Sequence, residues 1–248
     1  MRLLLISDIH SNIEALEAAL NAAPDHDVVV DLGDVVGYGA SPNEVVDRVR
    51  KLKAAQHVRG NHDKACAGVM STEQFNPIAA IAAYWTRDML SPTNRKWLAG
   101  IPQGPVKHDG ITDVQFVHGS PIDEDEYLIT PVDAAFIAPD LEARITFFGH
   151  THVQGGFMVQ RTGAEPIRLR GVNGGNDYEL KREARYLINP GSVGQPRDGD
   201  PRAAFAIYDT ETQVVSFRRA AYDIAAAQRR ILEAQLPERL ATRLADGR

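Results

Sequence analysis

A single cysteine, Cys66, stands in 248 residues. That excludes an internal disulfide framework and argues against a structural zinc site, and it fits a reducing compartment. No run of about 18 apolar residues occurs, so no membrane span is expected. Met1-Arg2 leads into a short apolar segment rather than a signal-peptide core, so the expected location is cytoplasmic. Basic residues are in deficit: 27 Lys and Arg against 33 Asp and Glu leave a formal charge of -6. A sequence-independent nucleic-acid binder would carry a basic face, so no nucleic-acid-binding surface is expected. There is no P-loop, dinucleotide fingerprint or internal repeat, and Ser192 lacks the G-x-S-x-G context of a nucleophilic serine.

What the chain does have is apolar substance, 44% of its residues, enough for a large core. Its first half alternates short apolar runs with helical patterns. Leu3 to Ile6 reads as a buried strand, and Ser11-Asn12-Ile13-Glu14 as a capping box opening a helix with Ile13, Leu16 and Leu20 on one face. A strand around Val28 precedes Ser41-Pro42-Asn43-Glu44, again a helix start with proline at its first position. Residues 76–99, with Tyr84, Trp85, Leu90 and Trp97, read as a helical insertion that forms either a lid or an ordinary aromatic packing surface.

The second half is richer in short β-type segments, around Val106, Val114, Ile145, Gly156 to Val159, Ile167 to Leu169, Tyr186 to Ile188, Ala203 to Tyr208 and Val214 to Phe217. They are read as a second sheet packed on the first. Gly171 to Asn176 reads as a mobile loop. Helices over 222–248 are broken at Pro237, and Leu236, Leu240 and Leu244 form a stripe that either packs on the body or serves a homo-oligomer contact. One domain over 1–248 is expected.

Polar clusters sit immediately after the apolar runs: Ser7-Asp8-Ile9-His10, Asp31-Leu32-Gly33-Asp34, Arg59-Gly60-Asn61-His62-Asp63, His118-Gly119-Ser120 and Gly149-His150-Thr151-His152. Five of the eight histidines lie in them. In open α/β sheets, ligand sites collect at the carboxyl ends of strands, so these clusters should converge on one crevice. Asp8, His10, Asp34, Asn61, His118, His150 and His152 then offer seven oxygen and nitrogen donors. One zinc ion takes three or four; two ions sharing a carboxylate would use all seven. Imidazole, carboxylate and amide donors suit manganese, iron, zinc, cobalt or nickel better than magnesium.

The ordered blocks D-x-H, G-D, G-N-H-D, H-G and G-H-x-H resemble the calcineurin-like metallophosphoesterase superfamily, and Asn189 to Arg197 resembles a segment of its small bacterial and archaeal phosphodiesterase branch. The resemblance implies a four-layer α/β/β/α sandwich. It implies one metal held by Asp8, His10 and His152, a second by Asn61, His118 and His150, and Asp34 bridging them, with manganese or iron as the first expectation. It places His62 beside the scissile phosphate, stabilising its charge or protonating the leaving oxygen, with Asp63 orienting that ring. Some members of the small branch carry cysteine where this chain has His62, and its retention favours hydrolysis.

Two divalent ions, two carboxylates and a bridging hydroxide leave about +1, so an anionic phosphoryl group is attracted despite the acidic chain, and the ions supply the hydroxide at neutral pH. The expected substrate is a small phosphate ester, potentially a nucleotide, with phosphodiesters favoured. Alternatives are a phosphomonoesterase, protein phosphatase or dinucleoside polyphosphate hydrolase, and, in another class, a non-catalytic protein-interaction scaffold.

Outside the ligand set, Asn61 and Arg197 are candidate substrate contacts, Arg197 through a bidentate guanidinium or else as a plain surface turn residue. Asp123-Glu124-Asp125-Glu126 reads as a solvated acidic loop. His26, His57 and His108 read as surface or edge residues, and Cys66 as a small apolar core group.

Overall fold

A computed structural model describes residues 1–52, 55–169 and 176–248. In chain order the elements are β1 (Arg2–Ile6), α1 (Ile13–Ala22), β2 (Val28–Asp31), α2 (Pro42–Val49), β3 (Ala55–His57), α3 (Asn61–Ala67), α4 (Pro77–Met89), α5 (Pro92–Ala99), β4 (Val114–Phe116), α6 (Pro131–Phe136), β5 (Ile145–Phe147), β6 (Gly155–Gln160), β7 (Gly163–Pro166), β8 (Asn176–Glu179), β9 (Arg185–Asn189), β10 (Ala203–Asp209), β11 (Val214–Ala220), α7 (Ile224–Glu233) and α8 (Glu238–Asp246).

Period-2 alternation sorts each central strand between two cores. Leu3, Leu5, Val28 and Val30, with Tyr208 beside them in the same sheet, face the second sheet, where they meet Phe116, Ile145, Phe147 and Tyr186. Leu4, Ile6 and Val29 face the opposite way, onto Leu16, Val45, Val46, Cys66 and Leu98 of the flanking helices. The outer face of the second sheet is covered by α6, whose Ala134 packs with Phe157, Val159 and Leu187. The result is a four-layer α/β/β/α sandwich. Each fully buried Leu, Ile or Val in these cores contributes about 1.5–3 kcal/mol.

Strand order among the described residues is β3-β2-β1-β10-β11-β8 in one sheet and β4-β5-β9-β6-β7 in the other. Strands β1, β2 and β3 run parallel, as do β4, β5 and β9. Their carboxyl ends, and the loops that follow, therefore lie along one edge of the sandwich.

The structure corrects the sheet assignment of the second half. Strands β10 and β11 belong to the first sheet, β10 pairing antiparallel with β1. Ala203 to Tyr208 is buried on both faces, the mark of a central strand, but periodicity alone does not say which sheet it joins. Val106 forms only an isolated bridge to Phe116, and Ile167 to Leu169 lies beyond β7. Of the expected Gly171 to Asn176 loop, only Asn176 is described, and it opens β8; residues 171–175 lie outside the described residues.

The start of α1 differs too. Its N-cap is Asn12, whose Oδ1 accepts from the Ala15 amide at 3.1 Å, and not Ser11. Ser11 is drawn into the strand-end loop at φ 53° with its amide on the Val35 carbonyl, while Glu14 pairs with Arg230 at 2.6 Å. The C-terminal stripe packs on the body: Leu236, Leu240 and Leu244 are buried with Tyr38, Ala79 and Ala82. Among the described residues, no helix is long and apolar enough to cross a membrane.

Candidate metal centre

Each cluster is delivered by a strand end: Asp8 and His10 after β1, Asp34 after β2, Asn61 and His62 after β3, His118 after β4, His150 and His152 after β5. Reaching one point from five strands forces the backbone into unusual turns. Asp8, His10, Asp34, His150 and His152 have φ of 53°, 48°, 57°, 65° and 60°. A non-glycine residue there costs on the order of 1–2 kcal/mol, and such strain collects at functional sites. The loops are stitched together against it. Asp8 N donates to Gly33 O at 2.9 Å, His10 N to Asp34 O at 2.9 Å, Val193 N to Ser7 O at 2.9 Å and Gly194 N to Asp8 O at 3.0 Å. Ser192 Oγ donates to Asp8 O at 2.8 Å, so this residue supports the β1 loop.

Two buried groups of donor atoms result, each within 4.8 Å: Asp8, His10, Asp34 and His152 in one, Asp34, His118 and His150 in the other. Asp34 belongs to both. Its Oδ2 lies 3.6 Å from His10 Nε2 and 3.4 Å from His118 Nε2, and Asp8 Oδ1 lies 3.4 Å from His152 Nε2. Asn61 brings Oδ1 to 3.3 Å from His118 Nε2.

The protonation pattern tests whether this cluster fits cations. A carbonyl can only accept, so a ring nitrogen against one must carry the proton. His10 Nδ1 donates to Val36 O at 3.1 Å, His118 Nδ1 to Leu32 O at 2.7 Å, His152 Nδ1 to Gln195 O at 2.6 Å and His150 Nε2 to Asp125 O at 3.1 Å. Each ring thus turns its other nitrogen, a lone pair when neutral, toward the carboxylates, which is how metal-ligating histidines are held. His10 Nε2 and His152 Nε2 face one another at 3.1 Å, an arrangement of two lone pairs that needs a cation. Asp8 Oδ2 is buried without a hydrogen-bond partner. These donors fit divalent ions.

The electrostatics agree. Burial holds His10 and His152 well below the usual histidine range and pushes His150 down to about 3. Burial also opposes charge on His118, but the Asp34 and Asp8 carboxylates and the Leu32 carbonyl outweigh it and lift that ring to about 10. Asp8 is raised to about 7 by burial, against His118 and with Asp34 adding to the rise. Desolvation of Asp34 is overcome by His118, His62 and His10, which hold it well below the carboxylate range. The protein surroundings alone call for positive charge beside Asp34.

His62 lies against this cluster, its ring centroid 4.9 Å from His10, 4.4 Å from Tyr38 and 4.7 Å from Phe75. Burial lowers its pKa to about 4, and its Nδ1 is buried without a partner. Gly37, at φ 92°, leaves the room: a Cβ there would sit 2.5 Å from His62 Nδ1. Gly60 is as constrained, since its Cβ would fall 2.1 Å from Asp34 Oδ1.

Asp63 departs from the expected role. Its carboxylate accepts from three amides, Asp34 N at 2.9 Å, Gly60 N at 3.0 Å and Val36 N at 3.2 Å, and not from the His62 ring. Its position two residues into α3 points it back at the β2 loop, so it fixes Asp34. Desolvation raises its pKa, while the amide donors favour the anion.

The acidic run is also corrected. Glu124 meets Arg59 at 2.8 Å and Lys64 at 3.1 Å, and Asp125 meets Lys64 at 2.7 Å. Lys64 is buried, so these ions form a clasp holding the loop whose Asp125 carbonyl orients His150. Cys66 is buried in the core, as expected, and His57 sits partly buried beside Asp31 and Trp97.

A cleft of about 150 Å³ opens beside Asn61, His62 and His150, walled by Tyr38, Phe75 and Tyr127. The helical insertion contributes Asn76 and Ala79, and the segment leading into it Met70, Gln74 and Phe75. Arg197 does not line this cleft. Its guanidinium carbon sits 5.8 Å from the Tyr38 ring centroid, and its amide donates to His152 O at 3.1 Å.

The calcineurin-like phosphoesterase superfamily domain model matches residues 1–213. The chain belongs to this superfamily. Within it, the chain is 41% identical to a metallophosphoesterase from Sphaerobacter thermophilus, covering 100% of this chain and 99% of that one with a TM-score of 0.85. It is 39% identical to the protein MJ0912 of Methanocaldococcus jannaschii, over 98% of this chain and 97% of that protein. The hypothetical protein PH1004 of Pyrococcus horikoshii shares the fold at 21% identity, covering 100% of this chain and 98% of that one with a TM-score of 0.80. The buried His/Asp cluster is thus the metal-binding centre of a metallophosphoesterase fold.

Sequence reasoning missed Tyr38, Phe75, Tyr127 and Lys64. Tyr38 carried a signal, the Gly37-Tyr38-Gly39 run just after Asp34, where flanking glycines let an aromatic ring close on the histidines. The others come from loops whose placement depends on distant packing.

Proposed function

We propose that this chain hydrolyses phosphate esters at a dinuclear centre, with phosphodiesters favoured. Asp8, His10 and His152 would hold one ion, Asn61, His118 and His150 the other, and Asp34 both. The observation that carries the reading is Asp34 Oδ2 between His10 and His118, at 3.6 and 3.4 Å, with every ring's second nitrogen already committed to a carbonyl. Divalent ions bound there supply Lewis acidity and a water-derived nucleophile at neutral pH; manganese or iron is preferred.

The chain's own groups do the rest. His62, neutral in its buried setting, offers a ring N–H to an anionic phosphoryl group, and that anion raises the ring's pKa toward a range where it can protonate a leaving alkoxide. Asn61 faces the cleft and can donate its amide N–H to a phosphoryl oxygen. Tyr38 and Phe75 keep water from the His62 ring. A poor leaving group needs such an acid most, which favours the diester ordering.

With manganese-loaded protein, bis-p-nitrophenyl phosphate should be turned over faster than p-nitrophenyl phosphate. A rate for the diester far below the monoester would make the chain a phosphomonoesterase. Full metal binding with no turnover of either would favour the scaffold reading.

A further inference from the structure

The cleft beside the metal centre is walled by rings. Tyr127 lies over His150 with centroids 3.8 Å apart and planes at 31°, and Phe75 lies 4.7 Å from His62 at 44°. Tyr38 lines the same cleft, 4.4 Å from His62. Each ring therefore rests against a histidine of the site and lines the cleft as well. Tyr127 is nonetheless 47% exposed, so much of a large apolar ring is left open at the cleft. Aromatic walls with a few placed polar groups are how small-molecule sites are built.

Charge and size narrow the occupant. Among the described residues, those lining the cleft include no Lys or Arg, and Asp125 is the one carboxylate. Lys64 already holds that carboxylate at 2.7 Å, and the Asp125 carbonyl accepts from His150 Nε2 at 3.1 Å. A group entering here meets aromatic faces, the Met70 thioether and the side-chain amides of Gln74 and Asn76. Asn76 Oδ1 accepts from Ala79 N at 3.0 Å, which leaves its amide N–H groups to donate to a polar edge. No lining cation would neutralise a further phosphate, so a polyanionic substituent is disfavoured. The volume, about 150 Å³, matches a cavity that takes one benzene ring, and falls below the roughly 300–1,000 Å³ of a site for a drug-sized ligand. His62 also lines the cleft, so the group lodged there is the one whose oxygen His62 would protonate.

We propose that Phe75 and Tyr127 form the leaving-group subsite of this centre and select a flat, uncharged single ring. The preferred substrate is then a phosphate ester whose leaving alcohol or phenol carries such a ring close to the ester oxygen, and a substrate with linked phosphates in that position is a poor one. This rests on the reading that the centre binds and hydrolyses a phosphate ester.

The test is calorimetric titration of the manganese-loaded full chain with methylphosphonate, benzylphosphonate, cyclohexylmethylphosphonate and 4-carboxybenzylphosphonate, none of which has an ester bond to cleave. Benzylphosphonate should bind about tenfold more tightly than methylphosphonate, the worth of one aromatic stack. The saturated ring and the carboxylated ring should both bind more weakly than the benzyl compound. Tyr127→Leu should remove most of the benzyl preference and change methylphosphonate less than about twofold. Phe75→Leu, which keeps an apolar side chain toward the two cores that Phe75 touches, should do the same, and decides the matter should the Tyr127 variant disturb His150. Benzyl binding no tighter than methyl, a saturated or carboxylated ring bound as tightly as the benzyl one, or equal losses for methyl and benzyl compounds in both variants would overturn the subsite. Methylphosphonate binding by the unaltered protein reports separately on the phosphoryl-binding reading, so a missing ring preference with that binding intact sinks the subsite alone.

Discussion

His62 is held by three rings and no hydrogen bond at Nδ1, so its replacement should disturb chemistry more than structure. His62→Ala is expected to lower kcat by about 100- to 10,000-fold while metal content, measured by elemental analysis, stays at the unaltered level. Asp63 is the opposite case. Asp63→Asn converts one acceptor into a donor facing buried amides, and should cost about 1–3 kcal/mol in urea unfolding and weaken metal binding through Asp34. Protonation gives a third prediction. His150 at about 3 and His62 at about 4 lie below the unfolded histidine value of 6.5, as do His10 and His152. The unfolded chain therefore binds protons that the folded chain refuses. Stability from these groups is present above pH 6.5 and lost as pH falls toward the folded values, by about 1.4 kcal/mol per group per pH unit.

Asp8, raised from 3.8 to about 7, works against them between those values, and His118, raised to about 10, loses its contribution as pH climbs from 6.5. Asp63, raised by burial, opposes them in the same way, and four histidines outweigh two aspartates on the acid side. In EDTA the urea midpoint should rise from pH 4 to 6.5 and sag above it; a flat profile would contradict these assignments. At this scale the sequence was legible where chemistry fixes residue type, as in the D-x-H and G-H-x-H blocks. It was misleading for Asp63, whose partner is set by where α3 begins.

Loops and helix ends do the positioning at the next scale. The Lys64 clasp holds the 123–127 loop, whose Asp125 carbonyl selects the outward nitrogen of His150. Lys64→Met should therefore weaken one of two ion-binding steps by about 10- to 100-fold, seen as a change confined to one phase of a metal titration. Leu240, fully buried in α8 against the body, should cost about 2–5 kcal/mol on replacement by alanine, measured by chemical denaturation. The strands and most helices were readable from period and from capping residues, because a buried strand needs an unbroken apolar run and a helix start needs an acceptor. Which sheet takes β10 was not readable: both faces of that strand are buried, so its pattern is the same in either place. Ser11 was misread as a cap for a related reason, since the site's backbone turns override the local preference.

At the scale of the whole molecule, an acidic chain concentrates positive demand at one edge. Parallel strands bring five clusters to that edge, and the antiparallel return of β10 and β11 carries α7 and α8 back over it, where Leu240 and Leu244 pack with Tyr38. Net charge alone would not have located this edge, because the acids near it are already committed to Arg59, Lys64, Arg202 and Arg219. The central claim is that Asp34 joins two ion sites into one hydrolytic centre. Its most direct measurement is a metal titration of the apo protein against Asp34→Asn, with bis-p-nitrophenyl phosphate turnover followed in the same samples. The account predicts two manganese ions per chain, both bound more weakly in the variant, and turnover that appears only as the second ion binds. A single ion per chain, or a variant that keeps both ions and full turnover, would contradict it.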